Sequence, residues 1–395
     1  MKRLRATLFI QPGDLLAEGA MSVMAAARTV GAAAVALATP YHAYRDVLRH
    51  PGRIRIEQSP GGAAHVPDPH LYPRGESPSR LPGLGSRDLL SEAGTAAGEA
   101  GLSLDVWAVF LHDDRGGQRA GAVVNAFGEA YPDLRCPAGT GTLAYVVGLV
   151  EDLCRYRPGR IFAEGLHWYP LAHGHHHERL EWIPPRAADL LALCFCDGCR
   201  LPAEAAGVDV DTLRQQVRDA VDAELGGCGD RQPPRLVELL GPYLSRRSEV
   251  VELLATQCRQ RALTHGVELV FVDLAAGMSG WVDGRSTGPL GVRRARDLGI
   301  DIAKLSRRTR VAPAVYASSS ARFRRELSAY RRHGVDGPVI IRPGAPDVTS
   351  PEGWARRLED LTESGIEEIG LYQYRFLTAT ELQRLGETLG TAGPG

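Results

Sequence analysis

The feature that most constrains this chain is a set of eight short apolar runs, rich in β-branched residues, spread along its 395 residues. The runs cover residues 6–10, 32–38, 104–111, 160–163, 267–272, 311–317, 338–341 and 368–371. Most are continuous apolar strips, which is typical of parallel strands covered on both faces. Stretches with helical periodicity lie between them, at residues 17–29, 86–100, 141–156, 249–264, 320–333, 351–364 and 378–388. The alternation predicts parallel strands joined by helical crossovers.

Eight such units in one chain favour closure into a (β/α)8 TIM barrel, which we predict to be a single domain over residues 1–395. The competing architecture is an open doubly wound sheet. Such a sheet usually carries a glycine-rich phosphate loop after its first strand, whereas Gln11, Pro12, Gly13 and Asp14 follow the first run here. This loop sequence favours the barrel.

Two long insertions interrupt the pattern, at residues 41–85 after the second strand and 165–247 after the fourth. Glycines and prolines predict that the first insertion is irregular. Both insertions leave the C-terminal ends of strands, the face on which barrel enzymes place their sites. We therefore expect them to border a functional site.

Charge and hydropathy narrow the class of partner. The 46 Lys and Arg residues balance 47 Asp and Glu residues, so the chain has no long-range field that attracts nucleic-acid phosphates or anionic lipids. The apolar stretch after the basic start ends at Gln11, too early for a signal peptide, and residues 30–40 are too few to span a bilayer. We expect a cytoplasmic protein that binds a small molecule, with no nucleic-acid partner, no membrane partner and no organic cofactor.

The most specific site signal is the run at residues 160–170, where a short strand ends in Glu164 and is followed by His167, Trp168 and Tyr169. Glycosidic cleavage needs a carboxyl group that protonates the leaving oxygen or stabilises an oxocarbenium-like centre, and aromatic rings stack on sugars. Glu164 is therefore the first candidate catalytic residue, with His167 and Tyr169 as candidate substrate contacts. The alternative is that Glu164 pairs with an arginine and only supports the structure.

A second carboxylate, Asp273, ends the fifth strand and could meet Glu164 at the barrel mouth. A separation of about 5 Å would favour a retaining mechanism, and about 6.5–9.5 Å an inverting one. The alternative is that Asp273 caps the loop that follows it.

Other polar residues near strand ends are candidate substrate contacts. Arg342, after the seventh strand, can bind a carboxylate or phosphate in a bidentate manner, or it can pair with Glu164. The remaining candidates, each of which has a structural alternative, are His42, His112, Asn125, Tyr372 and Tyr374.

A histidine-rich stretch begins at His173. His173 and His177 have the spacing of two metal ligands on one helical face, but Gly174 and nearby prolines argue against a helix. We favour a loop in which His173 contacts the substrate, over a metal site or a solvated loop.

Cys194, Cys196 and Cys199 lie close enough in sequence to wrap a zinc ion, provided that a fourth ligand completes the tetrahedron. Cys136 is the preferred fourth ligand. The alternatives are Cys154, Cys228 and a loop histidine. The odd total of seven cysteines argues against a disulfide framework, and buried thiols without a metal remain the competing interpretation.

Residues 123–200 resemble the glycoside-hydrolase-like (β/α)8 barrels of bacteria. The shared features are a Cys-Pro-small sequence at Cys136, an acidic residue ending the fourth strand at Glu164, and the later Cys-X-Cys-X-X-Cys. In zinc-containing bacterial β-galactosidases, similarly, one cysteine precedes that glutamate and three follow it. The resemblance implies a structural zinc ion with Cys136 as its fourth ligand.

The chain departs from these families at their second carboxylate. Galactosidase-type barrels have Asn before the strand-4 acid and Glu at the end of strand 7, where this chain has Ala163 and Arg342. Amylase-like barrels have Arg two residues before the acid, where this chain has Phe162. We predict a glycosidase-like enzyme for a glycoside or sugar-containing metabolite. The alternative is a pseudo-glycosidase that binds a glycoside- or nucleoside-like metabolite, either inert or recruited to lyase or transfer chemistry.

Overall fold

Eight parallel strands form the central sheet of the computed structural model, which describes residues 4–49, 54–73, 75–112, 121–171, 173, 179–180, 182–226 and 233–389. The strands are β1 (Arg5–Ile10), β2 (Ala34–Ala38), β3 (Ser103–Val109), β4 (Arg160–Glu164), β5 (Glu268–Asp273), β6 (Arg310–Pro313), β7 (Val339–Ile341) and β8 (Glu368–Leu371). Their order is β6-β5-β4-β3-β2-β1-β8-β7, and a parallel bridge between Ala314 and Ile340 joins the two ends. The predicted (β/α)8 barrel is confirmed, and each predicted run overlaps one strand.

Helices surround the sheet, and most of them cover its outer face. They are α1 (Pro12–Glu18), α2 (Ala20–Thr29), α3 (Leu89–Glu99), α4 (Thr142–Cys154), α5 (Pro185–Leu191), α6 (Asp197–Ala205), α7 (Val210–Leu225), α8 (Leu236–Thr264), α9 (Ala275–Ser279), α10 (Gly291–Arg294), α11 (Ile302–Leu305), α12 (Ser320–Arg332), α13 (Pro351–Glu363) and α14 (Ala379–Leu389). Ser319 and Ser350 cap α12 and α13 through their side chains, as N-cap serines do. Within the described ranges, no helix has both the length and the apolar character needed to span a bilayer.

Side chains along the strands alternate between the barrel interior and the helix layer, because successive residues of a strand point to opposite faces. Trp107, Phe162 and Val270 belong to the cluster that fills the interior. Ala163 and Phe271, one residue out of step, pack under the helices. This alternation decides which residues at the strand ends reach the barrel mouth.

Charged side chains close the N-terminal end of the barrel. Arg160 donates hydrogen bonds to Asp105 at 3.0 Å, to Glu368 at 2.6 Å and to Thr7 at 2.8 Å. Arg310 pairs with the other carboxylate oxygen of Glu368 at 2.8 Å. The buried ion pairs fill this end, so the opposite, C-terminal end is the one that can hold a ligand.

The first insertion contains regular structure, contrary to the prediction that it is irregular. An antiparallel hairpin pairs Tyr44–Leu48 with Arg55–Ser59. Arg375, buried after β8, donates to Asp46 at 3.1 Å and to Glu57 at 2.8 Å. These ion pairs hold the hairpin against the C-terminal end of the barrel.

The second insertion is largely helical. It contains α5, α6, α7 and the first part of α8, which enclose a small core of their own, including Leu213, Val217 and Leu239. A short hairpin between β3 and α4, Ala122–Val124 with Ala130–Arg135, packs against it through Ala126. This small core fixes the position of the cysteine-rich segment that precedes α6.

Candidate active site

Glu164 ends β4 and points into the barrel mouth. Its side chain has the same phase as that of Phe162, which lies in the barrel interior. The indole Nε1 of Trp107, on the adjacent strand β3, donates a hydrogen bond to Glu164 Oε2 at 2.5 Å. Glu164 is 6% exposed, so its carboxyl group is nearly dehydrated but still borders solvent.

Burial raises the pKa of Glu164 to about 7, because a dehydrated carboxylate loses more solvation than a neutral carboxyl group. The Trp107 hydrogen bond and the nearby His112 imidazole lower this pKa, and neither reverses the effect of burial. Among the described residues, no second carboxylate contributes to the shift. Near neutral pH Glu164 can therefore both donate and accept a proton.

Tyrosines surround this carboxyl group. Tyr41 and Tyr372 pack against Trp107, with ring centroids 4.5 and 5.5 Å away. The Tyr169 hydroxyl lies above Gly165, where a Cβ atom would overlap it. Burial raises the pKa of Tyr41, Tyr169 and Tyr372 above the usual value, and the charge of Glu164 adds to the increase. The phenols therefore remain protonated and can donate hydrogen bonds to ligand hydroxyl groups.

Three imidazoles lie beside Tyr169. His42 stacks on His112 with the ring centroids 5.1 Å apart, and His173 lies 4.8 Å from His112 and 4.0 Å from the Tyr169 ring. His112 Nε2 is 4.0 Å from the carboxylate of Asp133. The structure thus brings His42, Tyr169 and His173 together near Glu164. Residues 174–178, which include His177, lie outside the described residues.

His167 borders this group of rings through Tyr169, with the two ring centroids 5.3 Å apart, but it is 1% exposed. Its Nδ1 is 2.6 Å from the Trp168 carbonyl oxygen, and its ring lies 6.3 Å from Phe271, which belongs to the helix-side core. Burial lowers the pKa of His167 to about 4, so the ring is neutral at physiological pH. These contacts favour a structural role over the predicted substrate contact.

Asp273 does not meet Glu164. It lies one residue out of phase with the inward-facing Val272, and its oxygens accept hydrogen bonds from Tyr330 Oη at 2.6 Å and from the Ala275 backbone at 3.0 Å. Tyr330 belongs to α12, outside the barrel. The expectation that Asp273 supplies a second carboxylate at the mouth is corrected by this geometry, which matches the alternative of a loop cap.

Arg342 reaches the mouth, but its guanidinium group is fully engaged. It pairs with Asp347 at 2.7 and 3.1 Å and donates to the carbonyl oxygens of Gly280 at 2.6 Å and Trp281 at 2.5 Å. Its partner is therefore Asp347 and not Glu164. Binding an anionic substituent would require breaking this buried ion pair.

Two further candidates lie elsewhere. The Asn125 side chain bonds Glu129, Tyr131 and two backbone amides, and thereby builds the turn of the short hairpin. The Tyr374 hydroxyl bonds Glu18, on α1, at 2.9 Å and lies in the helix-side core. Neither side chain is placed to contact a ligand at Glu164. Tyr372, two residues before Tyr374, does face the mouth.

Four cysteines form a separate cluster beside the small helical core. The sulfur atoms of Cys136, Cys194, Cys196 and Cys199 all lie within 4.8 Å of one another, with Cys136 and Cys199 3.4 Å apart. Four thiolates around a tetrahedral ion with metal–sulfur bonds of about 2.3 Å have similar sulfur–sulfur distances. The predicted grouping is confirmed, and the geometry fits a metal ion.

The barrel is similar in fold to solved structures of glycoside hydrolases. The solved structures similar to this chain include α-L-fucosidase isoenzyme 2 from Paenibacillus thiaminolyticus (TM-score 0.57, 12% identity, 99% of this chain and 49% of that chain). They also include the β-galactosidases of Bacillus circulans sp. alkalophilus (0.57, 10%, 100% and 57%) and of the psychrophilic Marinomonas ef1 (0.56, 11%, 98% and 59%). No protein-family model and no curated protein matches the sequence. The chain spans about half to three fifths of these glycosidases, and at such identities the likeness shows the fold alone.

Sequence reasoning missed two tryptophans of this barrel mouth. Trp107 lies inside a run that reads as plain strand core, yet its phase places it inward, two residues before Val109. Trp281 lies in a loop with no strand or helix pattern, and its ring packs on Tyr372 at 5.7 Å. The phase of β3 could have revealed Trp107, whereas no local signal indicates Trp281.

Proposed function

We propose that this chain is a glycosidase-like enzyme that acts on a glycoside or sugar-containing metabolite, with Glu164 as its acid/base residue. The observation that carries the proposal is the inward-facing, dehydrated carboxyl group of Glu164, whose pKa is about 7. General acid–base catalysis is most effective when the pKa of the catalytic group lies near the working pH. The fold shared with the fucosidase and the β-galactosidases supports this assignment.

In this mechanism protonated Glu164 gives its proton to the glycosidic oxygen while the bond between that oxygen and the anomeric carbon breaks. The resulting carboxylate keeps its hydrogen bond from Trp107 Nε1 and lies near the developing positive charge of the sugar ring. It then accepts a proton from the water that attacks the anomeric carbon. The hydroxyl groups of Tyr41, Tyr169 and Tyr372, and the imidazoles of His42 and His173, would hold the sugar hydroxyl groups.

The test is product release from 4-nitrophenyl β-D-galactoside, 4-nitrophenyl α-L-fucoside and a wider panel of glycosides and nucleosides. Glu164→Gln should reduce turnover by at least a factor of about 100, the lower end of general acid–base contributions. Glu326→Gln is a matched control, because Glu326 is also buried but lies on α12, outside the barrel. Equal activity in wild type and Glu164→Gln would refute the assignment.

One observation favours the second candidate, a pseudo-glycosidase. Glycosidases use a pair of carboxylates, and here the second candidate, Asp273, faces α12. The end of β7 carries Arg342, whose charge is neutralised by Asp347, so the pair is incomplete. A protein of this kind would bind a glycoside or nucleoside in calorimetry and release no product. Saturable binding without turnover across the whole panel would support it over the hydrolase.

We also propose that the four-cysteine cluster binds a structural zinc ion. Zinc favours thiolate ligands in closed tetrahedral sites, and such an ion would tie the segment after the short hairpin, at Cys136, to the start of α6. Elemental analysis of the purified protein should find about one zinc per chain. Cys136→Ser should lose it, whereas Cys258→Ala, a change of a buried thiol outside the cluster, should retain it.

Four expectations from the sequence stay predictions. They are the cytoplasmic location, the lack of nucleic-acid and membrane partners, the lack of an organic cofactor, and the organisation as one domain over residues 1–395. Fractionation of the native cells and limited proteolysis of the purified chain would test the first and the last.

A further inference from the structure

We propose that Trp281 forms a subsite for an uncharged ring joined to the sugar that Glu164 acts on, either an aglycone or a second sugar. The inference rests on the function proposed above and specifies one part of the ligand. It concerns a residue in the loop after α9, far in sequence from Glu164.

A wall of aromatic rings connects Trp281 to the acid. The Trp281 ring packs on Tyr316 and on Tyr372, each with centroids 5.7 Å apart, and Tyr372 packs on Trp107 at 5.5 Å. Trp107 holds Glu164 through its indole N–H. Tyr316 and Tyr372 are buried, but Trp281 is 46% exposed. Trp281 is therefore the outermost ring of the wall, and Tyr372 and Trp107 lie between it and Glu164.

The backbone that carries Trp281 is held by hydrogen bonds from the neighbouring strand-end loops. Arg342 donates hydrogen bonds to the carbonyl oxygens of Gly280 and Trp281. The carbonyl oxygen of Gly284 accepts two hydrogen bonds from Ser318, one from its backbone N–H at 2.8 Å and one from its hydroxyl group at 3.1 Å. A Cβ at Gly280 would overlap the Tyr316 carbonyl oxygen, so the loop lies directly on its neighbour. A preorganised aromatic ring loses little conformational entropy when a ligand stacks on it.

The electrostatics of this loop favour an uncharged ligand. The Arg342 guanidinium lies 5.6 Å from the Trp281 ring centroid and 4.6 Å from that of Tyr316, but its charge is paired with Asp347. An anionic ligand group would have to displace this carboxylate. What Trp281 offers instead is an apolar ring face that is 46% exposed. The C–H face of a pyranose and an aryl ring both match such a surface.

The test compares ligands that share one sugar and differ in what is attached to it. Calorimetry on the full chain would measure the affinity for methyl β-D-galactoside, 4-nitrophenyl β-D-galactoside and lactose, and for the methyl and 4-nitrophenyl α-L-fucosides. Wild type should bind the aryl glycoside or the disaccharide about threefold to tenfold more tightly than the methyl glycoside of the same sugar. The aryl and disaccharide arms show which ring fits better.

In Trp281→Ala this ratio should fall towards one, in Trp281→Phe it should keep an intermediate value, and in Val282→Ala it should match wild type. A ratio that stays above threefold in Trp281→Ala, or that equals one in wild type, would overturn the subsite and leave the role of Glu164 intact. Wild type that binds none of the glycosides would instead refute the proposed function, and the subsite with it. Circular dichroism of each variant checks the fold.

Discussion

Replacing Glu164 with glutamine should stabilise the protein above neutral pH while it removes turnover. Burial raises the pKa of this carboxyl group from 4.5 to about 7, so the folded chain holds the proton more tightly than the unfolded chain does. The stability that this proton contributes is complete below the unfolded pKa and is lost as the pH rises through the folded pKa. Glutamine is neutral at every pH and escapes that loss.

The size of the effect follows from the two pKa values. Ionising Glu164 in its buried position should destabilise wild type by about 3 kcal/mol at pH 8 and above, because one pKa unit corresponds to about 1.4 kcal/mol. At pH 5 the same difference should be below about 1 kcal/mol. Glutamine has nearly the shape of glutamate and can still accept the Trp107 hydrogen bond, so packing should change little.

Urea unfolding of wild type and Glu164→Gln at pH 5 and pH 8 measures this directly. Other buried carboxyl groups with raised pKa values, such as Asp14 and Asp105, titrate in both proteins and cancel in the difference. The variant should gain stability relative to wild type as the pH increases. A stability difference that is independent of pH, or of the opposite sign, would refute the argument that burial controls the protonation of Glu164.

Three further variants test neighbouring parts of the structure. Trp107→Phe removes a hydrogen bond that lowers the pKa of Glu164, so this pKa should rise in the variant. The alkaline limb of the pH–rate profile should therefore move to higher pH, and an unchanged limb would contradict the role of this hydrogen bond. Asp273→Ala should lower the free energy of unfolding by about 1–3 kcal/mol at pH 5, below the raised pKa of about 6 of Asp273, because the Tyr330 hydroxyl and the Ala275 backbone N–H lose their buried acceptor. The variant should keep most turnover, and a loss of turnover as large as in Glu164→Gln would place Asp273 in the site after all. Arg160→Met should destabilise the fold by about 3–5 kcal/mol in urea unfolding, because Asp105 would be left buried and unpaired; a loss below 1 kcal/mol would show that water reaches this end of the barrel.

The sequence predicts the barrel well because each buried parallel strand leaves a continuous apolar run. The hairpin in the first insertion is different. Its inner face is polar, with Asp46 and Glu57, and it is held by Arg375, 329 residues away from Asp46 in sequence. A local pattern cannot show a strand whose stabilising partner lies at the other end of the chain.

Parts of the candidate site were predictable for chemical reasons. The spacing of Cys194, Cys196 and Cys199, with Cys136 before them, predicted the cluster because cysteines spaced in this way have few functions other than metal binding. The sequence placed Arg342 at a strand end, but it did not predict Asp347 as the partner of Arg342. From the sequence, Arg342 could have paired with an acid of the site or with a ligand. Which pair forms depends on loop geometry that the sequence does not encode locally.

The difference between the two candidate acids depends on a shift of one residue. Phe162 on β4 is level with Val270 on β5, and both point inward. Glu164 follows Phe162 by two residues and keeps that direction, whereas Asp273 follows Val270 by three and turns towards α12. The two carboxyl groups therefore end adjacent strands, and the wall of the barrel lies between them. The chemistry that we propose at this mouth therefore relies on Glu164, with its partners drawn from the tyrosines and histidines around it and from the ligand or water.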